Sequence, residues 1–407
     1  MLTRTVSSLG WRKISCLPPL ATWHVNLYNG FMVDYQYIDD ANGLKKMQEH
    51  LRAASRFSVD IESDSYHHYR EKIALIQICD GDTVFILDPL STDMEPVASM
   101  IDDPSKEKIF HDVDYDGRMI LTYLGVRPRP VFDTMIAARI LGKDKVGLAD
   151  LLGEYFGIEM DKRLQRADWS QRPLSLDMLE YAALDVAFLI PLRDRLAEDI
   201  EMLGRTGWAR EEFERLVENL ESMPEREVSA LKVKGARELN PRQLAVLQKL
   251  LEWRERKAAQ VDVPSFKIVG SERLLELARK HPRSRHELER SGILTPRQAA
   301  RFGNEILAAV RSGLKVPEWQ QPRFPKQEHQ KRDFDAEKIL KGLKRVRDLK
   351  ASELGLDPGF LMSNAVLKAV ARLKPASIEE MKESGLLRGW QIEAMGDSLA
   401  EVINRIR

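Results

Sequence analysis

Between positions 57 and 87 the apolar residues fall on the two-residue period of β-strands. In Phe57-Ser58-Val59-Asp60-Ile61-Glu62 the apolar side chains alternate with polar ones, so a strand here turns Phe57, Val59 and Ile61 to one face and Ser58, Asp60 and Glu62 to the other. Residues 73–79 form a near-continuous apolar run, which predicts a central strand; 84–87 predicts its hairpin partner across Gly81-Asp82, ended by Pro89. The period then lengthens. Short helices are predicted at 95–101, 134–141 and 148–156, a strand at 108–111, and a helix over 114–124 closed by Gly125, with Met119, Ile120 and Tyr123 on one side. Ser175 is a favourable N-cap for a further helix, with Asp177 in its first turn, and that helix aligns Tyr181, Asp185 and Phe188. Strands first and helices around them predict an α/β domain with a mixed sheet. Charged helices then run to about residue 220, and Ser222-Met-Pro224 opens a polar connection.

Beyond it the pattern repeats at an offset of 93 residues. Leu274, Ala278, Arg279, Pro282, Ser291-Gly292 and Gln298 correspond to Leu367, Ala371, Arg372, Pro375, Ser384-Gly385 and Gln391. Apolar matches at Leu288/Met381 and Phe302/Met395 predict two copies of one small all-α domain, at 232–315 and 333–407, joined by a linker at 316–332 rich in Pro, Gln and Trp. The α/β domain occupies 32–220. Residues 1–31 carry Arg4, Arg12 and Lys13, several serines and no acid, a transit-peptide composition. Met32 begins a conventional-looking sequence, and we expect 1–31 to be an extension outside the fold, disordered or not translated.

With 407 residues, 43% hydrophobic and 31% charged, the chain has length for several cores and no apolar run long enough to span a membrane. Cys16 and Cys79 are the only cysteines, which excludes a disulfide framework and a cysteine zinc site and fits a reducing cytoplasm. The formal net charge of zero hides an asymmetry. Residues 34–200 hold 20 Lys+Arg against 32 Asp+Glu, whereas 201–407 hold 40 against 31. An acidic half that handles an anion needs cations elsewhere, and the basic half can hold a polyanion for it.

The acidic half carries the candidate chemistry. Asp60 and Glu62 project from one strand face and repel by about 3 kcal/mol at roughly 5 Å and an effective dielectric of about 20. A divalent cation removes that cost and suits oxygen ligands. An isolated Asp-x-Glu is more often the solvated side of a strand, and a Tyr/Asp pair at i,i+4 is more often a locally bonded core stripe. Here Asp60-x-Glu62, Asp116 in an early helical turn and Tyr181-x-x-x-Asp185 stand in series.

That series resembles the tyrosine branch of the DEDD exonuclease superfamily, and the surrounding motifs resemble ribonuclease D. They are 59–62, Leu75-Ile-Gln-Ile78, His111 to Asp116, Phe132-Asp-Thr134, Gly147-Leu-Ala149, Asp168-Trp169, Arg172-Pro-Leu174 and 181–186. Glu238-Leu-Asn-Pro-Arg-Gln-Leu244 with Leu250, Trp253-Arg254 and Pro264 resembles an HRDC domain. The second copy resembles a degenerate one lacking the Trp-Arg of the first. The resemblance implies a ribonuclease H-like mixed-sheet exonuclease followed by two HRDC-type domains. It implies two divalent cations (Mg²⁺ or Mn²⁺) held by Asp60, Glu62, Asp116 and Asp185, with Tyr181 orienting the attacking water. It further implies a cytoplasmic, monomeric 3′→5′ exoribonuclease that trims precursor tRNA and other small structured RNAs to nucleoside 5′-monophosphates. Two other readings stand beside it: a catalytically weak RNA-binding protein, and a 3′→5′ DNA exonuclease. His111 is expected to be structural. Arg172 is expected either to touch phosphate or to hold the loop before the helix.

Overall fold

The computed structural model describes residues 24–28, 31–160, 163–224, 227–325 and 333–406. Seven strands form one mixed sheet: β1 (His24–Tyr28), β2 (Phe31–Ile38), β3 (Arg56–Ser63), β4 (Ile73–Cys79), β5 (Val84–Leu87), β6 (Glu107–Phe110) and β7 (Val131–Asp133), in the order β1-β2-β5-β4-β3-β6-β7. The hairpin expected across Gly81-Asp82 pairs β4 with β5. β3 runs antiparallel to β4 and parallel to β6, which is parallel to β7. The C-terminal ends of β3, β6 and β7 therefore open at one edge, where Glu62, His111 and Thr134 emerge.

Helices cover both faces of this sheet. α1 (Ala41–Leu51), α2 (Glu95–Asp102) and α3 (Val113–Tyr123) pack on the face of β3 that carries Phe57, Val59 and Ile61. Each of those fully buried apolar side chains contributes about 1.5–3 kcal/mol. α4 (Thr134–Ile140), α5 (Leu148–Phe156), α6 (Leu176–Ala187) and α7 (Leu189–Met202) build the opposite core. There the Ser58 hydroxyl, wholly buried, donates to the carbonyls of Cys79 and Val186, tying β3 to α6. β4, apolar but for Gln77, is buried at every position because both of its faces are covered. α8 (Thr206–Glu218) lies beside β7.

Two expectations change. His24–Tyr28 pairs antiparallel with β2, so these residues join the sheet rather than standing outside it; 1–23 and 29–30 lie outside the described residues. A composition argument spread over the whole of 1–31 hid a five-residue strand. Tyr123 is not packed with Met119 and Ile120: it is 45% exposed, and its hydroxyl donates to the carbonyl of Glu71.

The repeat is carried down to single hydrogen bonds. The first copy has α9 (Pro241–Gln260), α10 (Ser265–Ile268), α11 (Ser271–Lys280), α12 (Arg285–Arg290) and α13 (Pro296–Leu314); the second has α14 (Phe334–Leu354), α15 (Pro358–Leu361), α16 (Asn364–Leu373), α17 (Ile378–Glu383) and α18 (Gly389–Ile406). Gln298 Nε2 donates to Ile268 O at 3.1 Å, and Gln391 Nε2 to Leu361 O at 2.7 Å. Arg254 reaches Val269 O, Ser271 Oγ and Glu255; Arg347 reaches Met362 O, Asn364 Oδ1 and Asp348, each partner 93 positions on. Of the Trp-Arg pair the second copy therefore lacks only the tryptophan, replaced by Val346. Its arginine is kept because the fold needs the clamp.

The two copies meet the α/β domain through related corners. In the second, Trp390 stacks on Trp208 (ring centroids 4.9 Å apart) and donates from Nε1 to Glu212 at 2.6 Å, while the backbone amides of Gly389 and Trp390 bond the Glu211 carboxylate. Gly142 (φ +76) lies so close to Gly355 that a Cβ on it would sit 1.8 Å from the Gly355 carbonyl oxygen. In the first, Asp262 bonds His68 Nδ1 at 2.7 Å and the amide of Tyr69 at 3.1 Å. Among the described residues no helix is long and apolar enough to cross a membrane.

Candidate active site

β3 supplies the first two carboxylates. Asp60 lies opposite Gln77 in the β3–β4 ladder, and the register shifts immediately after Glu62. Such an irregularity re-aims side chains where pairing ends. α6 supplies Tyr181 and Asp185: Ser175 caps it by accepting from the amide of Met178, and the i,i+4 spacing sets the two on one face. Asp60, Glu62 and Asp185 each bring a carboxylate oxygen within 4.8 Å of the other two, a set of hard oxygen donors able to hold a divalent cation. They line a cleft of about 340 Å³ with Ile61, His111, Tyr181, Gln165, Met160 and the Gly147–Ala149 turn.

Asp116 stands just outside that trio, in the first turn of α3 and 7% exposed. The turn before it is unusual. Asp112 adopts a left-handed backbone (φ +66), a conformation costing on the order of 1–3 kcal/mol for a residue with a side chain. Asp133, fully buried, holds this junction by accepting from the amides of Val113 (2.7 Å) and Ile136 (2.9 Å), so it fixes α3 and caps α4 at once. That is the role of the Phe132-Asp-Thr134 motif.

The electrostatics are those of an uncompensated acidic cluster. Burial pushes Asp60 up to about 6, against the opposing pull of a backbone hydrogen bond at Ile61. Glu62 is driven well above the usual carboxylate range by burial and then by Asp60, Asp185 and Asp116. Asp116 is raised by burial and then by Asp60, Asp112, Asp133 and Asp185. Asp185 is raised by burial and Asp60, partly offset by a hydrogen bond from Tyr181. A divalent cation relieves these repulsions, so the donor set fits one. Burial and the same carboxylates push the Tyr181 phenol far up, while Gln165 hydrogen-bonds it. Trp169, 1% exposed, packs against the Tyr181 ring at 5.9 Å between centroids.

Three further residues take definite places. The Thr134 hydroxyl donates to Phe110 O (3.1 Å), so His111 Nδ1, 2.9 Å away, must donate to Thr134, which turns an unprotonated Nε2 outward. Burial and Arg139 press His111 down to about 4, keeping it neutral. It is held structurally, yet it also lines the cleft. Arg172 is a clamp: its fork bonds both oxygens of buried Asp88 (2.6 and 2.8 Å), and it donates to the carbonyls of Ala74 and Trp169. Gln165 went unnoticed in the sequence because a polar residue in an irregular loop carries no period.

A 3′-5′ exonuclease family model matches residues 35–201, and an HRDC domain model matches 243–310 and 336–403. The chain is 33% identical to ribonuclease D of Escherichia coli K12 over 288 residues, 70% of this chain and 76% of that one. It is 31% identical to ribonuclease D of Bartonella henselae over 358 residues, 87% and 86% of the two chains. The crystal structure of Escherichia coli RNase D, described as an exoribonuclease involved in structured RNA processing, superposes with a TM-score of 0.68 at 28% identity, covering 91% of this chain and 99% of that one. With an exonuclease fold, paired HRDC copies and relatives above 30% identity over most of their length, the chain belongs to the ribonuclease D family.

Proposed function

We propose that this protein is a metal-dependent 3′→5′ exoribonuclease that trims the 3′ ends of precursor tRNA and other small structured RNAs, releasing nucleoside 5′-monophosphates. The observation that carries the chemistry is the convergence of Asp60, Glu62 and Asp185 beside Tyr181 in one cleft. In this reading Asp60, Glu62, Asp185 and Asp116 hold two divalent cations, Mg²⁺ or Mn²⁺. When bound, these supply Lewis acidity toward the attacking water and charge to balance the phosphodiester. Tyr181 is a neutral phenol throughout the working pH range, so it orients the water by hydrogen bonding rather than removing its proton. Gln165 and Trp169 fix that phenol. The water oxygen bonds to phosphorus and the P–O3′ bond breaks. A 3′-hydroxyl remains on the shortened RNA, and a nucleoside 5′-monophosphate departs.

The nuclease domain extends to about residue 220, with HRDC domains at 232–315 and 333–407 and a linker at 316–332. The protein acts in the cytoplasm as a monomer. Its test uses 3′-labelled and 5′-labelled RNA and DNA oligonucleotides with Mg²⁺, Mn²⁺ or EDTA. Mononucleotide release from the 3′ end of RNA, abolished by EDTA, is expected. Preference for DNA, or release from the 5′ end, rules the reading out.

A further inference from the structure

The two HRDC copies present the same corner to different surroundings, and the difference assigns a ligand. In the second copy Phe360 and Trp390 stack on one another (6.1 Å) and seal against the nuclease domain through Trp208. Ninety-three positions earlier stand Lys267 and Arg297, both exposed and with no carboxylate partner among the described residues. Beside them Phe266 is 57% exposed, and its ring meets that of Tyr66, itself 47% exposed, edge-on at 6.5 Å. A face built for protein contact buries its rings, as the second copy does. This face leaves two rings open and adds cations.

Tyr66 belongs to the rim of the active site by two routes. It follows Glu62 by four residues, on the loop that leaves β3. The Arg166 guanidinium lies 5.7 Å over its ring, and Arg166 adjoins Gln165, which lines the catalytic cleft. On its other side a groove of about 600 Å³, lined by Ser65, Lys234, Phe266 and the Lys232–Glu227 and Arg254–Glu255 ion pairs, continues between the nuclease and the first HRDC domain.

We propose that Tyr66 and Phe266, with Arg166, Lys267 and Arg297, form a stacking platform that grips the single-stranded RNA just upstream of the scissile nucleotide and feeds it to Asp60, Glu62 and Asp185. Open aromatic faces interleaved with unpaired cations suit single-stranded nucleic acid, because every base has a π-face and every linkage a negative charge. The proposal rests on the exoribonuclease reading, and its test is read by binding as well as by turnover.

The full chain, as parent, Tyr66→Ala and Phe266→Ala, is titrated in EDTA against a labelled RNA hairpin with a single-stranded 3′ tail. Abasic nucleotides are placed singly along the tail. In the parent, abasic substitution within a window of upstream positions is expected to weaken binding on the order of ten- to hundredfold, the range for one lost base–aromatic stack. Tyr66→Ala should lose a comparable factor and then be indifferent to abasic substitution in that window. Lys267→Ala with Arg297→Ala should flatten the slope of log affinity against log salt by about 0.7 per lost phosphate contact. An abasic scan of the parent with no sensitive window overturns the proposal without any variant having to fold. So do losses from ring and base that simply multiply. The same RNAs with Mg²⁺ test cleavage separately. An RNA bound with ring–base coupling but never cut would refute the exoribonuclease reading and leave the platform standing.

Discussion

Asp60 and Gln77 face one another across the β3–β4 ladder, and each carries polarity that its packing leaves unanswered. Gln77 is fully buried, and neither amide atom has a hydrogen-bond partner among the described residues. Orphaned buried amides cost about 1–3 kcal/mol, so Gln77→Met, similar in shape and apolar, is expected to raise the unfolding midpoint. A lower midpoint would reveal a partner for the amide. Asp60 acts through pH. Its carboxyl binds a proton more tightly folded than unfolded, so the stability this lends is full below about pH 4 and is lost as pH rises through about 6. Without metal, Asp60→Asn should therefore be more stable than the parent near neutral pH and no more stable at pH 4. Added Mg²⁺ should rescue the parent more at pH 7.5 than at pH 5. Thermal melts of both proteins across pH, with EDTA or Mg²⁺, check the sign. The same substitution, like Asp185→Asn, is expected to abolish turnover. Tyr181→Phe keeps the ring on Trp169 and should lower kcat on the order of 10²–10⁴-fold with RNA affinity unchanged. Parent-like kcat would reduce the tyrosine to packing. Spacing singled out Asp60, Tyr181 and Asp185 in the sequence, and all three line the one cleft. The fate of Arg172 was not readable, because its partner Asp88 lies 84 positions away.

At the scale of elements, periodicity recovered the apolar strands and the capped helices. β4, β5 and α5 fall at their expected bounds, and α6 begins after its expected cap, Ser175. It recovered the duplication because a repeat multiplies weak signals. It gave no sign of β1, β2 and α1: the first two sit in a stretch set aside on composition or next to it, and α1 buries only Leu44, Met47 and Leu51. Nor did it separate a folding arginine from a nucleic-acid contact. Arg254 and Arg347 settle that by symmetry, since both spend their donors on the turn between the second and third helices of their copy. Arg254→Met and Arg347→Met are each expected to cost their own domain about 1–3 kcal/mol through stranded acceptors. Domain-resolved hydrogen exchange reads this directly. Loss of RNA affinity from Arg254→Met with its domain's protection intact would contradict the clamp.

For the whole molecule, the seam between the nuclease and the second HRDC domain turns on a single absent methyl. Gly142→Ala cannot be accommodated against the Gly355 carbonyl, so it is expected to unseat that domain. Amide exchange should rise across α8 and the start of α18 while α14 and α16 keep their protection, and the Trp208 and Trp390 rings should become accessible to a fluorescence quencher. Unchanged exchange at α8 would show that the seam gives way locally. The charge asymmetry read from the sequence acquires a location here: the second copy spends its corner on Trp208 and Glu212, and the first keeps cations on the matching corner. That docking has an entropic consequence for its twin. The first HRDC domain follows the nuclease in the chain and precedes a domain seated on that same nuclease, so it is tethered at both ends, like a handle rather than a pendant. A doubly tethered module samples a small volume, which raises its effective concentration at the catalytic rim. Part of the ordering cost of gripping an RNA tail is then met before any RNA arrives.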